Sequence, residues 1–451
     1  MKKGIFNFFL SVTFMMFCNV AWADSGTHGN TPVISRIDVG GGVEYDLYKG
    51  YSYTYKGVTK SCEDLCAVVA GILVPNIYIP SVVTYNNEKY RVIAIGEQAQ
   101  ASNSKKVTIS NSVEVIEADA FKSMKNNLIE LILEEGDNSL FCYPTAKGKG
   151  AFSTISTLKK LYLGRNLHYI GEGNPQNYSY APFDEGAFSE MEIEVGSRVK
   201  EIPDFCFYRR DVLALLAGGV KKVNFSKATN LQSIGNNAFC GNTKIESIDF
   251  SGATALRSIG DYAFSTNTSL KQLDFSKNLS LQSIGYAAFY QNSSLGPHIN
   301  FGAIPLNNIG RGAFAECPNL QKVFFFQNDA PVLGAACFDD NTNVYVKNNN
   351  IKFKFNSKSD FKGTKEYPEC MMLKYKTNDH KVAGNTNCIY NTYEIDEGIM
   401  YFDDVLTTIN DYWFDECNSL ISVSIPNTVT DIATGAFFGC TNLKSIVFMH
   451  Q

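Results

Sequence analysis

Leu231-Gln-Ser-Ile-Gly-Asn-Asn-Ala-Phe239 is written again as Leu256-Arg-Ser-Ile-Gly-Asp-Tyr-Ala-Phe264, as Leu281-Gln-Ser-Ile-Gly-Tyr-Ala-Ala-Phe289 and as Leu306-Asn-Asn-Ile-Gly-Arg-Gly-Ala-Phe314. Ile234, Ile259, Ile284 and Ile309 follow one another at intervals of 25 residues. A second apolar set follows each block: Ile245, Ile248 and Phe250, then Leu270, Leu273 and Phe275, then Leu295, Ile299 and Phe301, then Leu320, Val323 and Phe325. One such unit is too small to bury its own apolar face. A fixed period of this length marks a solenoid, in which stacked units share one continuous core.

Within a unit, Ile248-Asp249-Phe250 reads as a strand, with alternate residues facing opposite sides. Ile248 and Phe250 point into the stack, and Ser247 and Asp249 point out. The five-residue step from Ile259 to Phe264, with Gly260 between them, suits a tight turn and a short helical or irregular return. The fold class expected is therefore an α/β repeat: a right-handed leucine-rich repeat solenoid with parallel strands on one face. The outward residues of those strands line the face through which repeat proteins bind. Asn224, Asp249, Asp274 and Asn300 share one outward position in successive units. Like charges side by side on a sheet are mildly destabilising, so this ladder is a candidate for a ligand or a cation, against plain solvation of a polar face. Phe324 and Phe326 flank the core Phe325 and are expected to point outward. The apolar patch they would form either binds the ligand or is covered by residues 350–400. Tyr162 is a candidate aromatic contact on the same face.

Outward from the repeats, residues 1–23 read as a signal peptide. Lys2 and Lys3 precede an apolar run over residues 5–17, and Ala21-Trp22-Ala23 offers a cleavage site. A lipoprotein anchor at Cys18 is the weaker alternative, because bulky Phe17 stands where such signals need a small residue. Residues 24–42 read as a linker and residues 43–90 as a β-rich N-terminal cap, with Asn86-Asn87 as a hairpin turn. Leucine-rich repeats occupy residues 91–346, degenerate at first and carrying insertions at 134–150 and 174–183. Residues 347–400 read as a linker and β-rich inter-repeat segment, and residues 401–451 as C-terminal repeats. The last strand, near Ile446 and Phe448, carries no polar capping unit after it. End-to-end self-association, coverage by an earlier segment and a short frayed edge are its three outcomes.

With Lys2 and Lys3 removed, the net charge moves from −5 to about −7. No basic stripe is present, which argues against nucleic acid. The five histidines lack ligand spacing, and no Cys-x-x-Cys, Gly-x-Ser-x-Gly or His-Glu-x-x-His occurs, so no metal, cofactor or enzyme activity is expected. Asp339-Asp340-Asn341 reads as a solvated turn. Of twelve cysteines, Cys18 leaves with the leader and an odd number remains. Cys206, Cys240, Cys317, Cys337, Cys417 and Cys440 stand beside or three after a repeat Phe, positions that suit small buried thiols. Cys62 and Cys66 lie outside the repeats, and in an oxidising compartment a disulfide between them is the alternative to two thiols.

Ser424-Ile-Pro-Asn-Thr-Val-Thr-Asp-Ile-Ala-Thr-Gly-Ala-Phe-Phe-Gly-Cys-Thr-Asn-Leu-Lys-Ser-Ile446 resembles a consensus unit of the BspA-like leucine-rich repeat family, and the units at 231–325 are similar to it. Residues 375–381 with 394–402 resemble the segment that precedes repeats in that family, and residues 76–96 resemble its entry. The resemblance covers most of residues 64–451. It implies a secreted or surface-displayed bacterial protein, some relatives of which act as adhesins, and it carries no catalytic residues. The expected function is a non-catalytic secreted or cell-surface protein that binds a host or bacterial surface protein through its strand face. A glycan-binding accessory protein of the cell envelope is the alternative.

Overall fold

The computed structural model describes residues 27–28, 32–38, 42–72, 75–97, 99, 104–124, 126–172, 180–184, 188, 190–209, 219–347, 365–366, 368, 371–380, 383–384, 388–394 and 396–449. The expected signal peptide and Cys18 lie outside the described residues.

The repeats build a solenoid of parallel strands. One ladder joins Asn76–Ile79, Lys106–Ile109, Glu130–Leu133, Lys160–Leu163, Met191–Val195, Val220–Asn224 and Ser247–Asp249 in sequence order. A second ladder continues through Leu273–Asp274, His298–Asn300, Lys322–Phe325, Asn343–Val346 and Lys365–Glu366. These strands carry the outward face. The repeat Ile residues form short strands on the other side: Glu201–Ile202, Ser233–Ile234, Ser258–Ile259, Ser283–Ile284, Asn308–Ile309 and Val332–Leu333 pair in parallel, Ser on Ser and Ile on Ile in the regular units.

Two spines of phenylalanine fill the space between the faces. Phe207, Phe239, Phe264, Phe289, Phe314 and Phe338 stack ring on ring, with centroids 5.0, 5.1, 5.3, 5.1 and 5.5 Å apart. Phe225, Phe250, Phe275, Phe301 and Phe325 form the second, stacked except for a 36° tilt between Phe250 and Phe275. The spines meet edge to face, as Phe250 meets Phe264 at 6.0 Å and 85°. This geometry satisfies the ring quadrupoles and adds to burial. Phe183, inside the expected insertion, extends the first spine, stacking between Phe152 and Phe207.

The return is the irregular one of the two the spacing allowed, which corrects the α/β label. The described residues contain no α-helix, only the 3-10 turn Lys122–Met124 and single 3-10 residues at Tyr180 and Met371, so they build a parallel β-solenoid. The cause lies three residues after the repeat Ile or Leu in seven units. Asp119, Phe205, Asn237, Tyr262, Ala287, Ala336 and Tyr412 all have φ between 49° and 62°. A left-handed residue breaks a right-handed helix at its first turn. The Gly after the Ile serves a different need. A Cβ on Gly285 would lie 2.5 Å from Asp261 Oδ1 and 2.6 Å from the Asp261 nitrogen, so the turn rests directly on the unit before it. The position three after the repeat Phe is also more than a small apolar site. Asn242 and Asn292 there donate Nδ2 to backbone carbonyls of their own and the preceding unit, and Cys317 and Cys440 direct their sulfurs to the preceding unit's carbonyl. Asn and Cys are exchangeable because both can donate to that buried acceptor.

At the N-terminal end, Val43–Tyr55 and Val58–Ile72 form a long antiparallel hairpin that turns at Lys56-Gly57, both with positive φ. Its second strand pairs in parallel with Glu88–Ile95. Tyr48, Tyr51, Tyr53, Cys66 and Val68 pack on Ile93, Ala94, Val115, Ala118 and Tyr143, a second apolar layer outside the main core. Part of the expected linker is strand: Val33–Asp38 and Thr27–His28 pair with the hairpin. The Asn86-Asn87 hairpin turn joins Val82–Tyr85 to Glu88–Ile95, with φ of 49° and 67°.

At the other end, Met372–Thr377 lies antiparallel between Glu397–Tyr401 and Leu420–Ile425. Leu420–Ile425 pairs in parallel with Ser445–Phe448, whose four residues are all exposed. This block has its own core around Leu373, Tyr375, Met400, Phe414, Leu420 and Val423.

Candidate binding face

The strand face over residues 76–249 carries two stripes that register places in line. The first runs Tyr78, Thr108, Ile132, Tyr162, Glu194, Asn224 and Asp249. Tyr78 is 58% exposed, and Ile132 and Tyr162 are half-buried. The second runs Lys106, Glu130, Lys160, Glu192 and Lys222, one charge per strand with the sign alternating. Lys106 Nζ and Glu130 Oε1 stand 2.8 Å apart. Opposite charges on neighbouring strands support the sheet, and the stripe neutralises most of its own charge.

Tyr162 is held in place. Its hydroxyl donates to Glu135 Oε1 at 2.8 Å, and the same carboxylate accepts from the Ser197 backbone N–H and hydroxyl, each at 2.9 Å. The Ser197 N–H, the Tyr162 hydroxyl and the Ser197 hydroxyl hold Glu135 below the usual carboxylate range. Burial and the nearby Glu135 push the Tyr162 phenol up, so the ring stays neutral at physiological pH.

The four Asx residues share one strand position but form two pairs and not one continuous ladder, and each side chain has a local task. Oδ1 of Asn224, Asp249, Asp274 and Asn300 accepts the backbone N–H two residues ahead, from Ser226, Ser251, Ser276 and Gly302, at 2.8–2.9 Å. The side chain thus turns the chain out of its strand. Bonding to Ser251 also holds the Asp249 carboxyl below its usual range. Asn224 pairs with Asp249 and Asp274 with Asn300, but Asp249 and Asp274 belong to separate ladders.

For Phe324 and Phe326 the second of the two expected outcomes holds, coverage by the chain itself and not an open ligand patch. They point away from the solenoid core, yet both are fully buried, because Met371, Met372 and Tyr401 of the following block lie on them. Phe326 stacks on Tyr390 at 4.3 Å. Two adjacent outward rings attract an apolar cover, and the chain supplies its own. Asn300 is buried with them, its Nδ2 donating to the Ile389 carbonyl. Of the seven candidate residues, Tyr162, Asn224, Asp249 and Asp274 remain on open face.

Tyr78 and the alternating Lys–Glu stripe were missed from the candidates. Aligning Lys106-Val-Thr-Ile, Glu130-Leu-Ile-Leu, Lys160-Leu-Tyr-Leu and Glu192-Ile-Glu-Val on their core pairs exposes both stripes, so the signal was present in the degenerate units.

The family described as BspA type leucine rich repeat region matches in six copies, over residues 83–181, 215–345 and 383–451. The chain belongs to this family. No curated protein matches the chain. Among solved structures it is similar to a leucine-rich repeat protein from Bacteroides ovatus, at 18% identity over 84% of this chain and 90% of that one, with a TM-score of 0.30. It is similar to a leucine rich cell surface protein from Faecalibacterium prausnitzii, at 15% identity over 93% and 96%, with a TM-score of 0.30. It is also similar to the pneumococcal vaccine antigen PcpA, at 15% identity over 72% and 97%, with a TM-score of 0.32. The BspA-type family is a repeat scaffold.

Off the strand face, one His–carboxylate cluster stands out among the described residues of this BspA-type chain. His168, Glu172 and Glu201 bring donor atoms within 4.8 Å of one another. His168 Nδ1 lies 2.8 Å from Glu172 and Nε2 lies 4.0 Å from Glu201. One carboxylate bonded to Nδ1 and a second one nearby favour the imidazolium form. The bond to Glu172 raises the His168 pKa against the opposing effect of burial.

Proposed function

We propose that the chain is a secreted or cell-surface protein that binds a protein partner, host or bacterial, through the strand face of residues 76–249, without catalysis. The reading rests on one observation: the Tyr78–Ile132–Tyr162 stripe lies beside an alternating Lys–Glu stripe on one rigid sheet. Tyrosine anchors ringed by polar groups are what protein interfaces use at their centres. A self-neutralising charge stripe rewards a partner with a matching pattern and gives little to a uniformly charged polymer. Residues 1–23 direct export in this reading, the Val43–Ile72 hairpin is the N-terminal cap, and adhesion is the consequence of display. The exposed Ser445–Phe448 strand adds weak self-association, checked by light scattering of the mature chain against Val447→Pro.

The test is a binding screen of the mature chain against purified surface proteins and a glycan array, repeated with Tyr78→Ala plus Tyr162→Ala. Tyrosine anchors are each worth about 2 kcal/mol or more. The double variant is therefore expected to lose at least about a hundredfold in affinity for its protein ligand. Binding confined to glycans supports the alternative, in which exposed Tyr78 stacks on a sugar. Protein binding that the double variant leaves unchanged places the site elsewhere.

A further inference from the structure

The N-terminal hairpin contains an irregularity that the binding reading leaves unused. On the first strand Lys49 pairs with Leu65 and Tyr51 with Cys62, so two steps on one strand match three on the other. Gly50 supplies the accommodating φ of 88°. In a regular strand, residues four apart are separated by about 13 Å and cannot be bridged. Here the bulge gathers the chain, and the Cys62 and Cys66 sulfurs lie 3.0 Å apart. They need to close by only about 1 Å to reach a bonded length.

The two thiols are not equivalent. Cys62 is half-buried and lines a small cavity of about 90 Å³, together with Tyr51, Lys60 and His168. Arg91 Nη2 donates to the Cys62 sulfur at 3.3 Å. Cys66 is fully buried against the outer apolar layer, and burial pushes its thiol up. One sulfur is open to an external reagent, and the other waits behind it.

We propose that Cys62 and Cys66 form an intrachain disulfide by exchange with an external disulfide, a modification site that staples the bulge of the N-terminal hairpin. Cys62 gives its proton to solvent, and its sulfur attacks one sulfur of the external disulfide. A mixed disulfide forms and one external thiolate leaves. Cys66 then gives its proton to solvent, and its sulfur attacks Cys62. The Cys62–Cys66 bond forms, and the second external thiolate departs. The external disulfide is reduced to two thiols and the cysteine pair is oxidised, so electrons and protons balance. The bond holds in register Tyr51, whose hydroxyl donates to the buried Glu117 at 2.7 Å. Oxidation thereby fastens the hairpin to the first repeats.

The experiment uses the full mature chain and oxidised glutathione as the external disulfide. After equilibration the remaining thiols are alkylated in denaturant, and the chain is cleaved after Glu63, between the two cysteines. The expected result is a pair of peptides carrying Cys62 and Cys66 that stay linked until a reductant is added. In Cys66→Ser, glutathione is expected to remain on Cys62, the stalled first step; in Cys62→Ser, Cys66 is expected to acquire none. Alkylation of both cysteines in the wild-type chain overturns the proposal. So does a glutathione adduct that persists on wild-type Cys62, or a bridge from either residue to another cysteine. The wild-type peptide map decides even where a serine variant fails to fold.

Discussion

Replacing Phe264 by alanine probes the feature on which the solenoid depends. The ring is completely buried, stacked between Phe239 at 5.1 Å and 3° and Phe289 at 5.3 Å and 9°, and met edge-on by Phe250 at 6.0 Å. Truncating a buried Phe costs about 3–5 kcal/mol. Each well-placed aromatic pair is worth about 0.5–1.5 kcal/mol beyond its area, and three are lost here, which puts the expected loss near the top of that range. The hole is closed on both sides by rings whose backbones are held by inter-unit hydrogen bonds, Phe239 N to Ala263 O and Phe289 N to Ala313 O at 2.8 Å, so collapse into it is restricted. Urea unfolding followed by far-UV circular dichroism reads the solenoid, and fluorescence of Trp413 reads the C-terminal block. The solenoid transition is expected to move to lower urea and to separate from the Trp413 transition, because repeat units are coupled to their nearest neighbours. Phe264→Leu should lose much less, about 1–2 kcal/mol. A loss below about 1 kcal/mol for Phe264→Ala would refute the reasoning, since no fully buried spine ring can be that dispensable.

Three further outcomes are expected. Gly285→Ala forces a Cβ into the Asp261 backbone and should cost about 1–3 kcal/mol in urea unfolding; an unchanged midpoint would mean that the turns of adjacent units do not touch. Asp249→Asn plus Asp274→Asn keeps the turn-forming oxygens and should leave the melting temperature unchanged with and without calcium, while Asp249→Ala should lose about 1 kcal/mol; calcium-dependent stabilisation of the wild-type chain would restore the cation reading. His168 has a pKa raised above its ordinary 6.5 by Glu172, so its contribution is complete below about pH 6.5 and fades as pH rises through the folded value. Thermal melts of the wild-type chain minus those of His168→Gln should therefore show a stability advantage at pH 6 that has shrunk by pH 8, and a difference independent of pH would count against the His168–Glu172 pair.

Much of the molecule was legible in the sequence. The 25-residue interval settles which residues face the core, because apolar side chains at a fixed interval have one shared place to be buried. The Ile and Phe positions of the regular units, the paired strands and the location of the Asx ladder follow from that alone. The candidate face was legible in part. Its inner residues were marked by period, but its outer stripes lie in degenerate units where only the core pairs align.

Tertiary structure decided the remainder. The left-handed residue that replaces a helix is Asp119 in one unit, Phe205, Tyr262 or Ala287 in others. No residue type marks it, since the strain is imposed by stacking and not chosen by the local side chain. The fate of Phe324 and Phe326 depended on a segment more than forty residues ahead, Met371–Met372 and Tyr390–Tyr401, and pattern cannot say whether an apolar patch meets a partner or its own chain. The clamp of Glu135 on Tyr162 and Ser197 spans three units, and the approach of Cys62 to Cys66, which a regular strand forbids, needs a bulge. Period is a one-dimensional property and survives in the sequence. Contacts between distant segments are three-dimensional, and the closed chain alone creates them.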